Sequence, residues 1–115
     1  MSSLLAKNAD VLVTMDGQRR ELKGAGIYVV MTKWLPNNMS RPHFHPNDRF
    51  ITVLKGTWWM GTGTTFDPAS TVPVPAGTFV THFGKQIHYD GAKDEETILL
   101  ITGEGPATST RVDQR

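Results

Sequence analysis

Glycine and proline interrupt this chain so often that helices have little room to form. Eleven glycines and seven prolines are spread along 115 residues. No window carries apolar residues at i, i+3, i+4 and i+7 for more than two turns without meeting one of them. What recurs instead is the short β-type run. Ala9–Met15 ends at the turn Asp16-Gly17, and Gly26–Leu35 closes on Pro36-Asn37-Asn38. Arg49–Lys55 ends at Gly56, and Thr57–Gly61 follows it; Thr71–Pro75, Thr78–Phe83, Gln86–Tyr89 and Thr97–Thr102 complete the set. Such runs, divided by Gly, Pro, Asn and Asp, predict an all-β domain folded as a closed barrel or jelly roll. The polar stretch after Gly103, residues 104–115, is expected to be a flexible tail.

A chain of 115 residues supplies one core, so residues 1–115 are read as a single domain. The formal net charge of +1 gives no reason to expect a nucleic-acid or membrane partner. There is no cysteine, which removes disulfides and thiolate metal sites together. Any metal must therefore be held by imidazole, carboxylate or carbonyl groups. Met1–Asp10 has no long apolar run and is not read as a secretory signal. No stretch approaches the roughly 20 apolar residues of a membrane helix. The expectation is a cytoplasmic protein.

All four histidines fall between positions 43 and 88. His43 and His45 are two apart, so on a strand they share a face, about 7 Å apart along the chain. His82 and His88 flank Phe83-Gly84-Lys85-Gln86-Ile87, which reads as a strand, a tight turn and a returning strand. If the turn centres on Lys85, the two histidines oppose each other across a hairpin with Cβ atoms roughly 5 Å apart. Two same-faced pairs can then converge on one point inside the barrel. A lone histidine in such a fold is usually a structural or surface residue. Four confined to two strand pairs argue for a metal site.

The stretch Pro42–Gly56 (PHFHPNDRFITVLKG) resembles the first motif of the cupins, with His43, His45 and Gly56 in register. Gly77–His88 (GTFVTHFGKQIH) resembles the second, with His88 in the place of its ligand histidine. The resemblance covers residues 30 to 103 and implies a cupin jelly-roll β-barrel holding one divalent transition metal. Two departures stand out. Arg49 occupies the place of the motif's acid and cannot ligate. Phe83-Gly84-Lys85 replaces the Gly-Pro-x-Gly turn. A site without the carboxylate is similar to the three-histidine cupins, of which acetylacetone dioxygenase is an example. In that subgroup a polar residue six before the last histidine lies near the metal, and His82 occupies that position. The resemblance thus makes His43, His45 and His88 ligands, and His82 a fourth ligand or a partner of one.

Neutral imidazole suits Fe, Zn, Ni, Mn, Co or Cu. Ligand histidines need a partner on their second nitrogen, and Asp48 and Asp90 are candidates, with Asp48 the better fit to a turn. Arg49 has two readings. Strand alternation puts it on His45's face, where it would meet a substrate carboxylate or enolate as a catalytic residue. A bulge at Pro46-Asn47 would turn it out to a surface acid. Tyr28, Trp34, Phe50, Trp58 and Trp59 are core and interface material, and adjacent Trp58 and Trp59 must point to opposite faces of a strand. A tryptophan left outside the barrel would serve a homodimer interface.

Lys7–Val30 is similar to the opening strands of amidohydrolase-type deaminases, although it holds none of their catalytic residues. The alternatives are a recombinant chain with a borrowed hairpin over residues 1–30, and chance similarity among short alternating strands. Three functions are compatible with these readings. One is a mononuclear metalloenzyme acting on a small organic molecule, with dioxygenase-like or lyase and isomerase chemistry. The second is a non-catalytic module that binds a metal or small ligand. The third is a recombinant domain without selected activity.

Overall fold

A computed structural model of the protein describes residues 26–112. The strand expected over Ala9–Met15 and the amidohydrolase-like stretch up to residue 25 lie outside the described residues. Within them the chain forms nine strands and one short 3-10 turn. The strands are β1 (Ile27–Trp34), β2 (His43–Phe44), β3 (Arg49–Lys55), β4 (Thr57–Thr62), β5 (Val72–Pro75), β6 (Phe79–His82), β7 (His88–Gly91), β8 (Thr97–Glu104) and β9 (Thr110–Arg111). No helix among the described residues is long and apolar enough to cross a membrane.

The strands make two antiparallel sheets, ordered β1-β8-β3-β6 and β5-β4-β7-β2-β9. The expected all-β jelly roll is therefore present, but among the described residues strand pairing does not close the barrel: the sheets stay separate. The period of two explains how they hold together. β8 buries Thr97, Leu99, Ile101 and Gly103 and leaves the alternate residues at least partly exposed. β3 does the same with Ile51 and Val53, which pair with Ile101 and Leu99. With Tyr28, Trp58 and Val74 these form the core, and each fully buried aliphatic contributes roughly 1.5–3 kcal/mol. As alternation requires, Trp58 is buried completely while Trp59 turns out beneath the Lys93 ammonium, 4.0 Å from its ring. Phe50 also faces outward, stacked on Phe79 and not in the core.

Two glycines fix the frame. Gly56 carries the chain from β3 in one sheet to β4 in the other with φ of 78°, and a Cβ there would lie 2.3 Å from the Glu96 carbonyl oxygen. Gly103 faces inward, and a Cβ on it would strike the Tyr28 ring, 2.8 Å from the hydroxyl oxygen. Its bareness lets Tyr28 lie across β8 beside Arg49, which pairs with Gly103 from the other side. The tail expected to be loose supplies β9, which pairs with β2, and the Val112 amide donates to the Pro42 carbonyl.

Candidate metal centre

His43 starts β2 and pairs directly with His88, the first residue of β7. The two rings lie 4.4 Å apart between centroids, and His45, one residue beyond β2, adds its ring at 4.9 Å from His43 and 5.2 Å from His88. One nitrogen from each of the three falls within 4.8 Å of the others. The structure therefore gathers three of the four histidines singled out from sequence into one potential ligand set.

The second nitrogens decide the chemistry. His43 Nδ1 lies 2.6 Å from the Arg41 carbonyl, His45 Nδ1 3.0 Å from that of Thr108, and His88 Nδ1 3.2 Å from that of Gln86. A carbonyl oxygen can only accept, so each Nδ1 carries the hydrogen and each Nε2 keeps a lone pair. These anchors are backbone groups, not the carboxylates expected. Asp48 instead accepts from the Gly84 amide at 2.7 Å. Asp90 accepts from Trp58 Nε1 at 2.9 Å and Ser40 Oγ at 2.7 Å.

Burial keeps His45 and His88 neutral. It is the main cause holding His45 at about 4, followed by the Arg49 charge. It holds His88 at about 4 as well, with the Asp90 carboxylate pulling the other way. His88 Nε2 is buried without a hydrogen-bond partner. Three clustered imidazoles, each with its Nδ1 hydrogen fixed and one with an orphaned Nε2, are a donor set that fits a transition metal. An imidazole-bound ion sets its nitrogens roughly 3 Å apart, so the described rings, spread within 4.8 Å, would have to draw together around it.

His82 lies outside the gathered three. The hairpin expected to oppose it to His88 does not form: β6 pairs with β3, and β7 with β4 and β2 in the other sheet. The turn itself is as read, with Lys85 at a positive φ of 64° and the Gln86 amide donating to Phe83. It carries the chain between sheets, so His82 meets His88 across the interior, with ring centroids 3.7 Å apart. Its other face lies against Trp58. His82 is 1% exposed, and neither ring nitrogen has a partner. Burial, then His88, pushes it down to about 2.

Of the two readings of Arg49, the structure shows the inward one. Asn47 Nδ2 donates to the Glu104 and Gly105 carbonyls, which anchors the bend before β3. Arg49 Nη1 then reaches His45, 2.8 Å from Nε2 and 3.3 Å from Nδ1. Lys85 donates its amide to the His45 carbonyl, so the loop before β3 is stapled to the loop before β7. Gln86, Thr108 and Arg41 act here through backbone oxygens, for which sequence reading has no side-chain signal.

No family model matches this sequence, and neither does any curated protein. Solved structures do. An uncharacterised protein with a double-stranded β-helix domain from Klebsiella pneumoniae is similar at a TM-score of 0.63 and 20% identity, over 77% of this chain and 76% of that one. The fold is that of the cupins. A cupin-like protein from Thermotoga maritima matches at 0.65 and 18%, covering 77% and 66% of the two chains. The polyketide cyclase RemF from Streptomyces resistomycificus matches at 0.66 and 18%, covering 78% and 63%. This chain thus spans just under two thirds of the latter two. At these identities the cupin likeness establishes the architecture, and the histidine cluster has to be argued from its own geometry.

Proposed function

We propose that this cupin domain binds one divalent transition metal through His43, His45 and His88 and acts on a small organic molecule beside it. The observation that carries the reading is the common anchoring of the three rings. Each is fixed through Nδ1 to a backbone carbonyl, which makes Nε2 the atom carrying the lone pair. Such second-nitrogen contacts set the tautomer and orientation of ligand histidines. His43, His45 and His88 would hold the metal, which would supply Lewis acidity or redox chemistry to a molecule beside it. The chain's own part is to hold His45 and His88 neutral, to exclude water on the Trp58 and His82 side, and to leave access along half-buried His43.

The alternative is a module whose metal is structural, closed by His82 as a fourth ligand. Protein purified without a nickel column should carry close to one transition-metal ion per chain by elemental analysis. His88→Ala should lose it, with affinity falling by more than the roughly 10–100-fold that losing a ligand's hydrogen-bond partner costs. Wild-type protein that stays metal-free and fails to take up added Co²⁺ would end the proposal.

A further inference from the structure

Among the described residues, Arg49 is a part-buried cation with no anion paired to it. It lies on the inward face of β3, and among the described residues it forms no ion pair. Its Nε is buried and unpartnered, and Nη1 rests on a neutral imidazole. Asp90, whose charge acts on both Arg49 and His88, has its carboxylate oxygens taken by Trp58 and Ser40. A part-buried charge with an enclosed, unpartnered Nε is costly unless something pairs with it. Guanidinium groups are matched best by planar oxyanions, which accept two parallel N–H donors.

The contact of Arg49 with His45 has a second consequence. His45 Nδ1 is committed to Thr108, so Nε2 is the atom that would meet a metal. Arg49 Nη1 already donates to that Nε2 at 2.8 Å. One lone pair cannot serve both, and an ion beside an unmatched guanidinium would also be repelled. Loading the metal therefore requires Arg49 to move off His45, and an anion between the two would offset the charge of both.

Resting on the metal-site reading above, we infer that Arg49 is an anion receptor that gates the centre. A small carboxylate or enolate binds the Arg49 guanidinium, draws it from His45 Nε2 and so binds cooperatively with the metal. The substrate class follows: an anionic organic acid or an enolisable carbonyl compound, with its oxyanion between Arg49 and the ion. Coupling of this kind is reciprocal, so whatever the anion adds to metal affinity the metal adds to anion affinity.

The test uses chelator-stripped full-length protein titrated with Co²⁺, in sodium chloride and in sodium acetate at equal ionic strength. In the wild type, acetate should tighten Co²⁺ binding about tenfold, within the usual range of coupling between sites. Arg49→Met should bind Co²⁺ more tightly than wild type in chloride, because the competitor for His45 is gone, and acetate should then change its affinity by no more than about twofold. Arg49→Gln, which keeps the polar contact without the charge, guards against a folding defect of the first variant and should lose the acetate effect as well. Tight Co²⁺ binding with the same acetate dependence in all three proteins would overturn the gate and leave the metal site standing. No Co²⁺ binding by any of them would remove the metal site and the gate together.

Discussion

Across β9, β2, β7 and β4 one row of paired residues runs Arg111, His43, His88, Thr62. Across β1, β8, β3 and β6 another runs Tyr28, Gly103, Arg49, His82. The two rows form facing walls of the same interior, and they treat their polar groups differently. On the first wall His43 and His88 each have one ring nitrogen tied to a carbonyl, as does neighbouring His45. On the second, His82 has no partner on either nitrogen and Arg49 none on Nε. Buried polar groups are nearly always hydrogen-bonded, and a group left bare costs about 1–3 kcal/mol. One wall is thus a ligand platform, anchored through Nδ1 with His88 Nε2 left bare toward an ion. The other stores unmet polarity that a bound anion can relieve.

The broadest way to stress this contrast is to lower the pH of metal-free protein. His45 and His88 are held at about 4 and His82 at about 2, chiefly by burial, whereas an unfolded histidine titrates near 6.5. Between about pH 6.5 and 4 the unfolded chain therefore binds more protons than the folded one, and stability falls as the pH falls. Allowing for solvent screening at His45, the loss by pH 5 should be on the order of a few kcal/mol. Urea midpoints of chelator-treated protein at pH 7 and pH 5 would show it. Equal midpoints would mean that the interior accepts protonated imidazole, and the neutral platform would be lost as an explanation.

A smaller effect should follow from removing a single anchor. Truncation before Gly105 deletes β9 and the Thr108 carbonyl, and with it the fixed orientation of His45. Co²⁺ affinity should fall roughly 10–100-fold, the usual cost of losing such a partner. Thr108→Ala should leave affinity unchanged, because only the backbone oxygen makes the contact. A side-chain effect at Thr108, or none from the truncation with the fold intact by circular dichroism, would contradict the anchoring.

The sequence shows the first wall's ligands more readily than what holds them. His43 and His45 at a spacing of two, Gly56 at the sheet crossing and opposed Trp58 and Trp59 are legible because each depends on a side chain or its absence. Alternation offers the inward aim of Arg49, but a bend at Pro46-Asn47 permits an outward one equally, and only the Asn47 anchor of that bend decides between them. The carbonyls of Arg41, Gln86 and Thr108 are not legible, since every residue carries one. Thr110–Arg111 has too short and polar a pattern to announce a strand. The His82–His88 segment shows a further limit. Local pattern reveals the turn at Lys85, but not that β6 and β7 join different sheets, because pairing partners are chosen by the whole interior.

His82 is where the walls can be told apart most sharply, and there the change should be mildly favourable. The ring is buried among Trp58 and His88 with both nitrogens bare. Replacing it by leucine, of similar volume, removes the uncompensated desolvation without breaking a hydrogen bond. His82→Leu should therefore raise stability by about 1 kcal/mol, or ~5 °C in Tm for a domain of this size. Co²⁺ affinity should stay within about twofold, because the three anchored rings remain. If His82 is instead a fourth ligand, the same variant would weaken Co²⁺ binding by tenfold or more, and the metal would have to draw a ligand from both walls. Thermal melts without metal and Co²⁺ titration of the same preparation separate these cases, because one reads the bare polarity of the second wall and the other reads the ligand set of the first.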